Sequence, residues 1–377
     1  MRVAVLMSQA SPWAREIATS LAAQGCRVDV ISFPIDARGG VASLQNDEVV
    51  KETRAFRERV ASFHELRVPG PRRLRYVLAA PALRRVLRRV DADVLLTLYG
   101  GGQGLASWLS GFRPYVVWLM GSDVLLAGPI QRLINGFVFR GAARVFANGG
   151  NLAQRAEDQA PGVPVRSLLV GIDSGTFTPG PKGEPPTLVC TRSFEDVYEN
   201  GVIVRALALL PPATPRFKMV FVSSGDLLDE CVKLADELLT PDRRSDVTFA
   251  GGMSFPELVG TVASGDVYLS MSRSDGTSTG LMEGLACGLI PVVSDIPANR
   301  EWVDPGGGGG FLVPVGDARG LAAALQTVLA DLARYREDAS GNRDRVVALA
   351  DATVNRTRLL EELTDFVAHG GRGRGTS

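Results

Sequence analysis

Short apolar runs that end in Gly, Ser, Asn or Asp recur along this chain, and each is followed by a stretch whose apolar residues have helical spacing. The opening shows the unit: "RVAVLM" reads as a buried strand, "PWAREIATSLAAQG" as an amphipathic helix closed by Gly25, and "RVDVISF" as a second strand. Strand, helix and strand in that order build a parallel sheet, whose strands are covered on both faces and therefore apolar throughout. The rhythm returns in "ADVLLTLYGGG", "PYVVWLMGSD" and "ARVFANGG". It breaks at "LLVGIDSGTFTPGPKGEPP", rich in Gly and Pro and without periodicity, which marks a connector near Gly171 to Pro186. A second set then follows: "TLVCTRS", the helix "NGVIVRALALLP", "KMVFVSSG", a helix from Leu227 to Leu239, "VTFAGG", "DVYLSMS" and "LIPVVSD".

A chain of 377 residues exceeds what one ordinary core holds, so the two sets predict an α/β protein of two Rossmann-like, doubly wound lobes. We expect the first over residues 1–172 and the second over 173–350. After the glycines Gly306 to Gly310, read as a flexible connector, "ARGLAAALQTVLADLARYRED" and "VNRTRLLEELTDFVAH" read as helices. A C-terminal helix at 351–368 is expected to pack back on the first lobe, and 369–377 to form a flexible tail.

Composition narrows the chemistry. Lys plus Arg and Asp plus Glu are 41 each, so the overall charge gives no case for nucleic acid. Cys26, Cys190, Cys231 and Cys287 are far apart and fit no metal or disulfide spacing; they read as reduced core residues of a cytoplasmic protein. One of only two histidines, His369, sits in the tail, which leaves little room for histidine-based catalysis. "MRVAVLMSQASPW" is too short for a secretory signal, and no segment approaches the roughly 18 apolar residues of a membrane span.

Ligands bind beyond the carboxyl ends of the strands in such sheets, and "DVYLSMSRSDGTSTG" puts a polar loop there, ahead of a helix that ends at Gly288. The first amides of that helix favour phosphate, and Thr277, Ser278 and Thr279 add hydroxyls. Glu283 lies one turn after Thr279 on a helix otherwise made of small and apolar residues. A carboxylate buried there needs donors: either the vicinal hydroxyls of a ribose or an arginine from the protein's own core. Arg192, just past the strand "TLVC", is placed either to bind a diphosphate or to lie on the surface. Ser254 and Glu257 form a capping box after Gly251 and Gly252, which starts another helix at the same edge.

These residues resemble the family-4 retaining glycosyltransferases of the GT-B fold. The likeness runs through "GSDVL" at Gly121 to Leu125, "VGIDSGTF", Arg192 and above all "SDGTSTGLMEGLACGLIPVVSD", similar to the family's two acids separated by seven positions. It implies two lobes with a cleft between them, no cofactor, no metal, and a nucleoside diphosphate sugar as co-substrate. By the same resemblance Glu283 binds the ribose; Asp275, Gly276, Thr277, Ser278, Thr279, Gly280 and Leu281 hold sugar and diphosphate, with Gly252 and Met253 beside them. Arg192, Asp275 and Asp123 are the expected catalytic residues, and Ser11, Pro12 and Ser122 the expected acceptor contacts; a turn or N-cap residue is the alternative for Asp123. The chain departs from the family in four places. Asp275 stands where Glu is usual, no Lys follows Arg192 within "EDVYENG", Met120 replaces a His, and "SQASPWARE" lacks paired glycines.

The resemblance implies a hexosyltransferase acting on a glycan, a lipid-linked or a small-molecule acceptor. A non-catalytic nucleotide-sugar-binding partner subunit is the alternative, and a sugar-nucleotide epimerase or phosphorylase a third reading. The stretch "RVPGPRRLRYVLAAPALRRVLRRVDAD" concentrates Arg67, Arg72, Arg73, Arg75, Arg84, Arg85, Arg88 and Arg89. It reads either as a peripheral contact with an anionic membrane at its inner face or as an ordinary solvated helix packed by Leu83, Val86 and Leu87.

Overall fold

The computed structural model describes residues 1–34, 54–68, 71, 74–303 and 309–368. Arg72, Arg73, Gly306 to Gly308 and the expected tail at 369–377 lie outside them. The chain divides into two units, one running to Val170 and resuming at Val354, the other from Gly171 to Thr353.

Among the described residues the first unit carries seven parallel strands: β1 (Arg2–Met7), β2 (Arg27–Ser32), β3 (Ser62–Glu65), β4 (Val94–Leu98), β5 (Tyr115–Leu119), β6 (Arg144–Ala147) and β7 (Val165–Ser167). Their order is β3-β2-β1-β4-β5-β6-β7, with Val5 opposite both Val30 and Leu96. Successive side chains point to opposite faces, so each apolar run feeds two cores. On one face Leu95, Tyr115 and Val117 meet Leu83, Leu87, Ala106 and Phe139 from the covering helices. On the other, Leu96, Val116 and Trp118 meet Ile17 and Leu21 of helix Pro12–Ala23, together with Leu359 and Leu363 of the last helix, Ala352–Ala368.

The second unit carries β8 (Thr187–Cys190), β9 (Lys218–Val222), β10 (Val247–Gly251), β11 (Val267–Ser270), β12 (Ile290–Ser294) and β13 (Phe311–Val313), all parallel, in the order β10-β9-β8-β11-β12-β13. All four cysteines are free and buried. No described helix is long and apolar enough to cross a membrane.

Three features differ from the sequence reading. The expected single helix over 318–338 is two, Ala318–Ala330 and Leu332–Asp338, broken at Asp331 (φ −141°, ψ 57°). The break lets Arg336 reach the buried Asp266 at 2.6 Å and sets Tyr335 on Phe311, with ring centroids 5.3 Å apart. Helix Ser340–Ala350 went unread because its exposed face mixes Val347 and Leu349 with charges, which blurs the period. The short edge strands β3 and β7 were missed because "SFHE" and "VRS" are half polar.

Candidate active site

In the second sheet β8 and β11 are neighbours, while the chain leaves them toward opposite edges, so a crevice opens beyond their carboxyl ends. Arg192 lies two residues past the end of β8, and the loop after β11 leads into helix Thr279–Ala286. The structure brings these together. Arg192 Nη2 stands 2.8 Å from Asp275 Oδ2, its Nη1 donates to Ser278 Oγ at 3.4 Å, and its guanidinium carbon lies 4.0 Å from the centre of the Tyr198 ring. The side chains of the pair are 12% and 15% exposed, yet Arg192 Nε has no partner and Asp275 Oδ2 accepts no well-aligned hydrogen bond. The charges offset one another while hydrogen-bonding capacity remains.

The helix beyond is small and tightly seated. Ser278 caps it by accepting the Leu281 N–H at 3.2 Å, which leaves the N–H groups of Thr279 and Gly280 without an acceptor among the described residues. Leu281, Met282, Leu285 and Ala286 are buried, whereas Thr279 is exposed and Glu283 only partly buried, so these two share the open face. Among the described residues nothing donates a hydrogen bond to the Glu283 carboxylate and no cation pairs with it. Burial pushes its pKa up to about 7, with the Arg192 charge pulling the other way. Of the two partners open to Glu283 in the sequence, no core arginine pairs with it among the described residues, the nearby guanidinium being held by Asp275.

The sequence offered no hint of Tyr268, fully buried on β11 beneath the helix, beyond the small residues at 280 and 284 that open a groove one turn apart. Its hydroxyl lies 3.2 Å from Thr191 Oγ1, and a Cβ on Gly280 would fall 2.4 Å from that hydroxyl and 2.5 Å from Thr191 Oγ1. Gly280→Ala must therefore lift the first helical turn off the sheet. We expect it to cost about 1–3 kcal/mol in chemical denaturation and to weaken nucleotide binding by more than about tenfold, with Tyr268→Phe in the same chain restoring part of both.

Several expected contacts take other places. The Thr277 hydroxyl donates to Gly276 O at 2.9 Å and Ser278 serves as the cap, because a buried hydroxyl takes the nearest backbone partner; only Thr279 presents a free hydroxyl of the three. Tyr198 stacks on Arg192, and Asn200 Nδ2 pins the loop by donating to Arg192 O at 3.2 Å and Ser193 O at 3.1 Å. Gly252 and Met253 follow β10, two strands from β8, outside the Arg192 cluster but at the same sheet edge. There the Glu257 carboxylate accepts the Ser254 N–H at 2.9 Å and hydroxyl at 2.6 Å, at the start of helix Phe255–Ser264.

In the first unit the corresponding reversal of strand order lies between β1 and β4. Beyond β1 come Ser11, whose Oγ is buried without a hydrogen-bond partner among the described residues, and Pro12, the first residue of its helix. Beyond β4 stands Tyr99, held at φ 87° with its ring centroid 5.7 Å from that of Trp13, a pairing the sequence reading did not include. Ser122 is exposed at the start of the short helix Ser122–Leu125. Asp123 is buried and accepts the N–H groups of Gly100 at 2.7 Å, Gly121 at 2.9 Å and Met120 at 3.3 Å. Burial raises its pKa against those bonds, which lower it. Three backbone donors occupy this carboxylate, as the turn reading expects, and it ties the loop after β4 to the loop after β5.

The two units match two family models in turn: residues 10–171 match one described as a glycosyl transferase 4-like domain, and residues 185–331 one described as glycosyl transferases group 1. Among curated proteins, a phosphatidyl-myo-inositol mannosyltransferase of Mycolicibacterium smegmatis is 32% identical over 192 residues, which is 48% of this chain and 47% of that protein. The lipopolysaccharide core biosynthesis glycosyltransferase LpsE of Rhizobium meliloti is 25% identical over 202 residues, 51% of this chain and 56% of its own length. The matches thus span about half the length of these relatives. Among solved structures, Anabaena HepE in complex with UDP superposes with a TM-score of 0.77 at 16% identity, covering 97% of this chain and 100% of that one. Sucrose-phosphate synthase from Thermosynechococcus elongatus gives 0.78 at 17%, covering 98% and 100%. At that identity the structures speak for the fold, and the family models for the rest: this chain belongs to the family-4 glycosyltransferases of the GT-B fold.

Proposed function

We propose that this protein moves a hexose from a nucleoside diphosphate sugar to an acceptor hydroxyl, with retention of anomeric configuration and without a metal ion. The observation that carries the reading is Glu283, a partly buried acid with no donor of its own, one turn from two unpaired helix amides. A ribose offers the two donors it lacks. The Thr279 and Gly280 amides and Arg192 then face the diphosphate, and Asp275 faces the hydroxyls of the hexose. Relatives favour the same co-substrate, since Anabaena HepE was solved with UDP and with UDP-glucose.

In the transfer, the bond from the anomeric carbon to the diphosphate oxygen breaks as the bond to the acceptor oxygen forms. The acceptor's proton passes to the departing phosphate. Negative charge develops on the leaving group, so fixed positive potential from Arg192 and the helix amides lowers the barrier, and no side-chain base is required. The acceptor is a glycan, a lipid-linked sugar or a small molecule, recognised at the carboxyl edge of the first sheet around Ser11, Pro12 and Ser122, in the cytoplasm. Asp123 positions those loops.

The test begins with a thermal-shift panel of nucleotide sugars, since a ligand of the folded state raises its melting temperature. The donor found there is incubated with candidate acceptors and the product examined by NMR. We expect the anomeric configuration of the donor in the product and an undiminished rate in EDTA. An inverted linkage would refute retention, and a rate abolished by EDTA would refute metal independence.

A further inference from the structure

Part of the basic stretch of the first unit folds as helix Arg75–Val90, and its Leu83 and Leu87 are fully buried in the core, so they are not available to a partner. The exposed apolar surface lies elsewhere. On helix Pro129–Gly141, Ile130, Leu133 and Phe137 are 77%, 64% and 51% exposed, and Leu126 just ahead of it is 74% exposed. Their spacing of three and four residues makes one stripe, turned away from Val138 and Phe139, which are buried against the sheet. This helix packs on Gly102–Ser110, with the Trp108 and Phe137 rings 5.7 Å apart, and that one packs on Arg75–Val90, where Leu74, Val77 and Leu78 are again about half exposed. A soluble surface rarely leaves so many large apolar side chains together without use.

The charge around the stripe is mostly positive, the exposed Asp158 on the neighbouring helix Gly150–Gln159 being an exception. Between Leu66 and Ala156 the only acidic residues are Asp91, Asp93 and Asp123. Asp91 pairs with Arg2, Asp93 accepts the Arg2 N–H at 2.7 Å, and Asp123 is the buried residue that ties two loops. Arg84, Arg85, Arg88, Arg89, Arg132 and Arg140 stand exposed on the same helix layer. A second copy of this chain would bring arginine against arginine, which disfavours a self-complementary contact. An apolar stripe flanked by many arginines and few acids suits a surface that is negative outside and hydrocarbon beneath.

We propose that helix Pro129–Gly141 is an interfacial anchor that inserts Ile130, Leu133 and Phe137 into an anionic bilayer, with the arginines of helix Arg75–Val90, on the far side of Gly102–Ser110, on the headgroups. The inference rests on the proposed function only for its purpose, to bring the first lobe to a lipid-linked acceptor; the docking itself needs no transfer.

The experiment is co-sedimentation of the full chain with vesicles of phosphatidylglycerol and phosphatidylcholine, and of phosphatidylcholine alone. We expect binding to the anionic vesicles that weakens with salt, a loss of about tenfold or more in I130S/L133S/F137S, and of about a hundredfold at low salt in R84S/R85S/R88S/R89S. The thermal shift of the triple variant with UDP should equal that of the wild type, which separates docking from the nucleotide site and shows that the variant folds. The proposal is lost if the wild type stays in the supernatant at low salt, or if the triple variant sediments as the wild type does. It is equally lost if sedimentation velocity shows a micromolar dimer that the triple variant abolishes while vesicle binding is absent.

Discussion

Glu283→Ala will weaken binding of the nucleoside diphosphate about a hundredfold in calorimetry, because two hydrogen bonds to a charged acceptor are each worth roughly 1.5–3 kcal/mol. Glu283→Gln carries a second, opposite effect on the empty protein. The carboxyl group titrates near 7 in the fold against the usual 4.5. Below pH 4.5 it is protonated in the folded and unfolded chain alike and costs nothing. Above pH 7 it is ionised in both, and the folded state bears the full cost of desolvation, about 3 kcal/mol at most. Stability of the wild type should therefore fall as the pH rises through this window, whereas Glu283→Gln, which has no charge to desolvate, should not follow it. Donor binding should release protons near neutral pH, since ribose hydroxyls favour the ionised form. Equal nucleotide affinity in wild type and Glu283→Ala would remove the ribose assignment, whatever the melting curves show.

Arg192→Ala should reduce kcat/KM on the order of a thousandfold. A donor aimed at developing charge in a largely dry site is worth about 2.7–4 kcal/mol, and no further cation follows in sequence before Arg205 to share the diphosphate. Arg273, the other arginine of the region, is engaged with Asp196 and Glu199 on the surface. The same change strands Asp275, whose side chain is only 15% exposed, so we also expect a loss of about 3 kcal/mol and a melting temperature lower by roughly 10 °C. The variant R192A/D275N removes both charges together. It should regain most of the stability and none of the activity, an outcome that a purely structural ion pair would not give.

Much of this was legible in the sequence. The strands β1, β4, β5, β11 and β12 are nearly continuous apolar runs, and a run of that kind with a Gly or Asp at its end has few alternatives to a buried parallel strand. Glu283 could be picked out because charge is scarce along its helix, and the loop after β11 and Arg192 because each follows the end of an apolar strand. The edge strands β3 and β7 were not legible, since half-polar strands of three or four residues have too short a period to detect. Nor were the roles of polar groups whose partners are distant in sequence: Asp123 answers to Gly100, and the Tyr268 hydroxyl to Thr191. The basic helix shows the same limit. Its leucines fit a docking face as well as a core, and only their burial against Leu95 and Val117 assigned them, leaving the exposed stripe to a helix that the charge pattern had not marked.

What the sequence alone determined was the alternation of strand and helix, the change of composition between two lobes and the kind of residue present at each strand end, because these depend on neighbours along the chain. Only the tertiary structure decided which acid takes the arginine. Asp275 stands 2.8 Å from the Arg192 guanidinium, whereas Glu283 only feels its charge, and pairing is settled by distance and desolvation rather than by order in the sequence. The guanidinium went to Asp275, and Glu283 was left ionisable near neutral pH with its hydrogen-bonding capacity open.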